Sequence, residues 1–253
     1  MVVSAAMLAL CSIAGWAQSD REFHWSGKLS PDQIVEIKNV NGAIEADTAG
    51  GDMVEVTAEK SGPDADAVQI VAVPHGEGVT ICAIYPHSDS ECKPGSTWHT
   101  HNVHGDRTRV TFHVHIPKDL RFSGYNVNGD VNAENMGKMV HATTVNGSVR
   151  VSTKSWAEAS SVNGSIEASM GSADWNGTLK MESVNGSIHL TLPDNVNADV
   201  RFSSVNGRLQ TDFPLTVEGS MGGRRVEGRI GSGGRELVVE TVNGSVELRK
   251  GSI

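Results

Sequence analysis

Seven copies of the tripeptide Val-Asn-Gly constrain this chain more than any other feature. They begin at Val40, Val127, Val145, Val162, Val184, Val205 and Val242, and each is followed by one small or polar residue and then an aliphatic one. From Val127 onward they recur about every 20 residues, the period of a solenoid. A degenerate copy, Val226-Glu227-Gly228-Arg229-Ile230, fills the gap before the last. Asn-Gly alone signals a type I′ hairpin turn. A two-residue hairpin, however, would set Val145 against Ser148 on one face, mixing apolar with polar. Read as one extended strand, Val145, Gly147, Val149 and Val151 share a face, and Asn146, Ser148 and Arg150 share the other.

A second alternating strand precedes each motif, out of phase by one residue. Leu179, Met181 and Ser183 share a parity that Val184 breaks, and Leu237, Val239 and Thr241 do the same before Val242. A one-residue slip moves every later side chain to the opposite face unless the backbone bends. Each repeat therefore reads as strand, kink, Val-Asn-Gly strand and looser turn. Stacked, such units give an all-β fold, a β-solenoid or parallel β-helix-like stack, with an antiparallel β-sandwich or meander as the alternative. In the stack Asn41, Asn128, Asn146, Asn163, Asn185, Asn206 and Asn243 form a hydrogen-bonded ladder. Gly42, Gly129, Gly147, Gly164, Gly186, Gly207 and Gly244 mark bends or close backbone approaches. These asparagines and glycines are structural and not catalytic.

Before Val127 the pattern is looser. Met53–Glu59, Val68–Val73, Val79–Tyr85 and Arg109–Ile116 read as strands, with a long polar loop from Pro86 to Asp106. Scarce aromatics (5%) and 28 glycines suit many short strands. No linker of biased composition appears, so residues 18–253 form one domain, irregular to about 117 and regular from about 118 to 250. Val2 to Ala17 carries no charge and ends in Gly15-Trp16-Ala17, a secretory signal over residues 1–17 with a cleavage site before Gln18. Cys11 lies in Leu8-Ala9-Leu10-Cys11, where Leu10 is too large for a lipoprotein box, so Cys11 belongs to the signal. The signal run is short for a membrane span, which needs about 20 apolar residues. The net charge of −9 argues against a nucleic-acid partner, since phosphate binding needs a basic surface.

Phe23-His24-Trp25-Ser26-Gly27, Ile37-Lys38-Asn39-Val40-Asn41-Gly42-Ala43-Ile44, Val110-Thr111-Phe112-His113-Val114-His115-Ile116-Pro117 and Asn126-Val127-Asn128-Gly129-Asp130-Val131 continue this pattern through most of the chain. In these segments the sequence resembles the bacterial DUF4097 putative adhesin family. The resemblance implies a β-solenoid-like fold and an envelope location, and little about chemistry.

Two groups of residues carry possible chemistry. Beyond the signal only Cys82 and Cys92 remain, an even count that in an exported chain points to a disulfide. His99, His101, His104, His113 and His115 crowd a short span. His113 and His115 lie two apart on one face of a strand, where His99 and His101 could join them around zinc or copper. The other reading is an exposed polar face beside a polar loop. No Gly-x-Ser-x-Gly elbow, His-Glu-x-x-His pair or P-loop occurs, and no paired carboxylates recur at motif spacing. The expectation is a non-catalytic exported scaffold, adhesion or binding module without a cofactor, its partner an unidentified envelope protein or glycan. An envelope-stress accessory protein and a carbohydrate-active enzyme on a β-helix are the alternatives. N-terminal sequencing of the native protein should read from near Gln18; an intact Met1 in a cytoplasmic fraction would overturn the export expectation.

Overall fold

The computed structural model describes residues 21–86, 88, 91–95, 107–217 and 225–251. Residues 1–17, with Cys11, lie outside them. In chain order the strands are β1 (Glu22–Gly27), β2 (Ile34–Lys38), β3 (Ile44–Ala49), β4 (Val54–Ser61), β5 (Gln69–His75), β6 (Gly78–Ile84) and β7 (Arg109–Pro117). The repeats follow as β8 (Arg121–Tyr125), β9 (Val131–Met136), β10 (Val140–Asn146), β11 (Val149–Thr153), β12 (Ala157–Asn163), β13 (Ile166–Met170), β14 (Thr178–Asn185) and β15 (Ile188–Leu192). The chain ends with β16 (Ala198–Asn206), β17 (Leu209–Thr211), β18 (Leu215–Val217), β19 (Arg225–Ile230), β20 (Arg235–Asn243) and β21 (Val246–Lys250).

These strands build two facing sheets. One runs β1-β4-β7-β3-β9-β11-β13-β15-β21-β17, the other β18-β19-β16-β20-β14-β12-β10-β8-β2-β6-β5. Each coil contributes one strand to each sheet, and coils pair in parallel, as in β10 with β12 and β11 with β13. The architecture is the expected β-solenoid-like stack and not an antiparallel sandwich. Antiparallel pairs are confined to the flanks: β1–β4–β7 on one sheet, β5–β6 and β16–β19–β18 on the other.

The core lies between the sheets. In one coil Leu179 and Met181 from β14 meet Ile188 and Leu190 from β15, all buried. Burying each such side chain contributes about 1.5–3 kcal/mol before entropy is counted. Here the structure corrects the expected phase. Val140, Ala142 and Thr144 face inward, whereas Val145 and Asn146 are exposed; after the corner Val149 and Val151 face inward again. Thr144 and Val149 are five residues apart, an odd interval that no single strand can span with both side chains on one face. The strand ends at Asn146 and the chain crosses Gly147 and Ser148 to the other sheet. The kink lies after the asparagine, and the motif valine faces out.

Two further differences concern order. The last coil, β20–β21, inserts between β14–β15 and β16–β17 instead of following them. The degenerate Val226-Glu227-Gly228-Arg229-Ile230 is no corner; it lies within β19, antiparallel to β16.

The motif glycines follow from corner packing. A Cβ on Gly147, Gly164, Gly186 or Gly244 would lie 2.2, 1.9, 2.0 or 2.1 Å from the carbonyl oxygen of the glycine one coil back. That atom is backbone, held at a corner between two paired strands, and has little room to move aside. Gly186→Ala is therefore expected to cost about 1–3 kcal/mol, as other forced overpacking does. Val184→Ser, two residues away and exposed, should cost less than about 0.5 kcal/mol. Chemical denaturation of both variants beside the wild type makes the comparison; an unchanged midpoint for Gly186→Ala would refute the packing account.

Candidate functional site

Three parallel rows of side chains run along one corner of the stack. The first is the asparagine ladder. Each amide nitrogen donates to the amide oxygen of a neighbouring coil: Asn128 to Asn41 at 2.8 Å, Asn146 to Asn128 at 2.8 Å, and Asn163 to Asn146 at 2.8 Å. It continues from Asn185 to Asn163 at 2.9 Å, Asn243 to Asn185 at 2.7 Å, and Asn206 to Asn243 at 2.7 Å. All seven motif asparagines thus share one hydrogen-bonded line.

The second row is hydroxylic and faces inward. Thr144, Ser161, Ser183, Thr241 and Ser204 donate to the carbonyls of Gly129, Gly147, Gly164, Gly186 and Gly244 at 2.9–3.0 Å. A glycine carbonyl at a corner has left the strand ladder, and a buried carbonyl without a donor costs free energy. Sequence reading missed this role. Its signal was the Ser or Thr directly before Val in these five copies.

The third row is apolar and exposed. Val145, Val162, Val184, Val242 and Val205 are 38–43% accessible, in that order along the stack. They line a shallow groove of about 440 Å³. Beside them on the same face run Thr143, Ser160, Glu182, Glu240 and Ser203. Lys180 comes within 4.0 Å of Glu182, while Glu240 has no ion-pair partner among the described residues. The row continues past Val145 to half-buried Val127 and to Val40, which is buried. At that end the Tyr85 hydroxyl donates to the Asn41 carbonyl at 3.1 Å.

A stapled loop closes over the same sheet near its β5 edge. Cys82 on β6 is bonded to Cys92, with Cα atoms 5.7 Å apart. Beneath it Lys38 is buried. Its ammonium donates to the Lys93 carbonyl at 2.6 Å and lies 3.4 Å from Glu36. Burial pushes the Lys38 pKa below its ordinary 10.5, with Glu36 opposing. Glu36 also accepts from the Thr80 hydroxyl at 2.7 Å and the Gly95 amide at 3.2 Å. The loop thus supplies hydrogen-bond partners to a buried ion pair.

Two of the predicted histidines lie on the other sheet. His113 and His115 point outward from β7, each opposite a carboxylate of β3. The His113 ring is 3.1 Å from Glu45, and His115 contacts Asp47. Asn132 and Glu134 complete a surface depression of about 280 Å³. The same cross-strand pairing recurs as His189–Glu247 at 2.8 Å and His141–Glu158 at 3.4 Å. Arg249 and His189 hold the Glu247 carboxyl below its usual range. Among the described residues no three His, Cys, Asp or Glu side chains converge as metal ligands. His99 and His101 lie outside them. Nor is any helix among them long and apolar enough to cross a membrane.

The corner rows fall within residues 120–249 from Asn128 to Asn243, and that span matches the Toastrack DUF4097 family model. The chain belongs to this family. No curated protein matches it. Among solved structures, a putative cell adhesion protein from Clostridium sporogenes superposes with a TM-score of 0.53 at 11% identity, over 91% of this chain and 100% of that one. A putative adhesin from Bacteroides fragilis reaches 0.37 at 11% identity, over 92% of this chain and 98% of that one. The first likeness is one of fold alone; the second adds no argument.

Reducing the Cys82–Cys92 bond should lower stability by about 2–3 kcal/mol, the chain-entropy value for so short a loop. Thiol labelling of the folded, unreduced protein should find neither cysteine free. Stoichiometric labelling at both positions would rule the bond out.

Proposed function

We propose that this Toastrack protein is a non-catalytic, exported binding or adhesion module of the cell envelope or secreted fraction, and that the valine row is its contact face. The observation that carries the reading is the row itself: five exposed aliphatic side chains, aligned by backbone pairing on a rigid stack. Contiguous exposed apolar surface marks interaction sites more often than single scattered residues do. The disulfide suits an oxidising compartment. Family membership and the adhesion protein of similar fold support the same class. An envelope-stress accessory protein acting through protein contacts would use this face in the same way.

The corner hydroxyls and amides support binding and not turnover. The corner Ser and Thr side chains are committed to glycine carbonyls, and the asparagines to one another. Beside the row the Thr143 hydroxyl lies 3.3 Å from the His141 ring, which is 3.4 Å from Glu158, and it also accepts from the Ser160 hydroxyl at 3.1 Å, in a side-chain network across β10 and β12.

The test uses labelled mature protein and envelopes of the cells that make it. Val162→Ser combined with Val184→Ser should lower retention at least tenfold while leaving the denaturation midpoint nearly unchanged. Val71→Ser, at an exposed valine on β5 away from the row, is the control. Equal retention of all three proteins would sink the assignment.

A further inference from the structure

We infer that the valine row takes a basic amphipathic α-helix of a partner protein. This rests on the reading that the row is a contact face, and it names the occupant.

The geometry of the row selects among occupants. Its five valines belong to five adjacent paired strands, so neighbours stand about 4.8 Å apart and the whole row spans about 19 Å. A helix repeats its apolar face every 5.4 Å, close to that spacing, and about 13 residues of helix cover that length. An extended peptide laid along the row would present same-face side chains about 6.6 Å apart, out of step after two strands. Nor could such a peptide bind through its backbone there. The strands carrying the valines are paired on both sides, so no free edge underlies the row, and recognition must run through side chains.

Chemistry narrows the choice further. None of the groove's lining residues is aromatic, which removes the stacking platform a sugar ring would use. Glu182 and Glu240 stand beside the middle of the row, Glu240 without an ion-pair partner among the described residues, and the chain carries a net charge of −9. A fatty-acid carboxylate or an anionic membrane would be repelled, while Lys or Arg flanking an apolar helical face would be attracted. A second copy of this chain fits poorly for the same reason. It would bring its own glutamates, and its described residues contain no α-helix. A polar rim of Thr143, Ser160 and Ser203 on one side and the asparagine ladder on the other matches the polar flanks of such a helix.

The experiment uses the folded, oxidised protein and synthetic peptides about 14 residues long. One has Leu in an i, i+3, i+4, i+7 pattern bordered by Lys. A second replaces every Lys with Glu, and a third scrambles the first. Binding is followed by calorimetry and helicity by circular dichroism. The Lys peptide should bind, gain helix on binding, and weaken steeply with salt. Val162→Ser with Val184→Ser should reduce its affinity at least tenfold, and Glu240→Gln several-fold, while Val71→Ser leaves it unchanged. Equal binding of the Glu or scrambled peptide, binding without helix, or indifference to the row variants would overturn the helix assignment. Absence of binding would do so too. If the row variants still lose envelope retention while the Lys peptide fails, only the occupant is wrong. If retention is indifferent to the row, the contact-face reading falls as well.

Discussion

The close approach of corner backbones sets the terms for the rest of this molecule. At six of the seven Val-Asn-Gly corners the carbonyl oxygen of the neighbouring coil's glycine occupies the space where a Cβ would lie, and at Gly42 the Val110 carbonyl oxygen does. Coils stacked that tightly keep both sheets at strand spacing through the turn, and the asparagine amides then meet at 2.7–2.9 Å. The glycines of the regular coils are present for space more than for torsional freedom. Positive φ occurs at Gly42 and Gly129, at the irregular end, but at none of Gly147, Gly164, Gly186, Gly207 and Gly244.

That packing dictates where neighbouring side chains go. The corner carbonyl needs a donor, and the residue three before the next coil's glycine supplies it as an inward Ser or Thr. Once that residue points in, the next must point out, and the next is valine. The fold demands an extended, β-prone residue there but not an aliphatic one. Thr is also β-prone, and it is tolerated two residues earlier on the same face at Thr143. Valine at all seven copies is therefore more than strand propensity requires.

Much of the architecture was legible from alternation. The strands expected over Met53–Glu59, Val79–Tyr85 and Arg109–Ile116 correspond to Val54–Ser61, Gly78–Ile84 and Arg109–Pro117. The phase break before each motif was visible too, but its meaning was inverted. Alternation records parity, and a strand that continues through a kink has the same parity pattern as one that ends and crosses to a facing sheet. Only the pairing partners of Val149 and Asn146, which lie in different sheets, separate the two. The insertion of β20–β21 was hidden because its motif is equivalent to its neighbours', so any stacking order satisfies the pattern equally well. The hydroxyl row was hidden because its acceptor is a backbone carbonyl one coil away.

The two ends of the valine row show what covering it involves. At Val40 the row is buried, in the region where Tyr85 reaches the Asn41 backbone and the disulfide staples the following loop to β6. Burial there comes with a cost that the chain has to meet locally. Lys38 loses solvent, its charge is disfavoured, and Glu36 and the Lys93 carbonyl offset the loss. From Val145 onward the same row has no such cover among the described residues, and its flanking glutamates remain accessible to a cation. A partner that covers this stretch faces the same physical requirement as the loop: apolar groups over the valines and a positive charge near the carboxylates. The buried end shows the row is compatible with a dry contact, and the acidic middle of the open stretch sets the sign of the charge such a contact must bring.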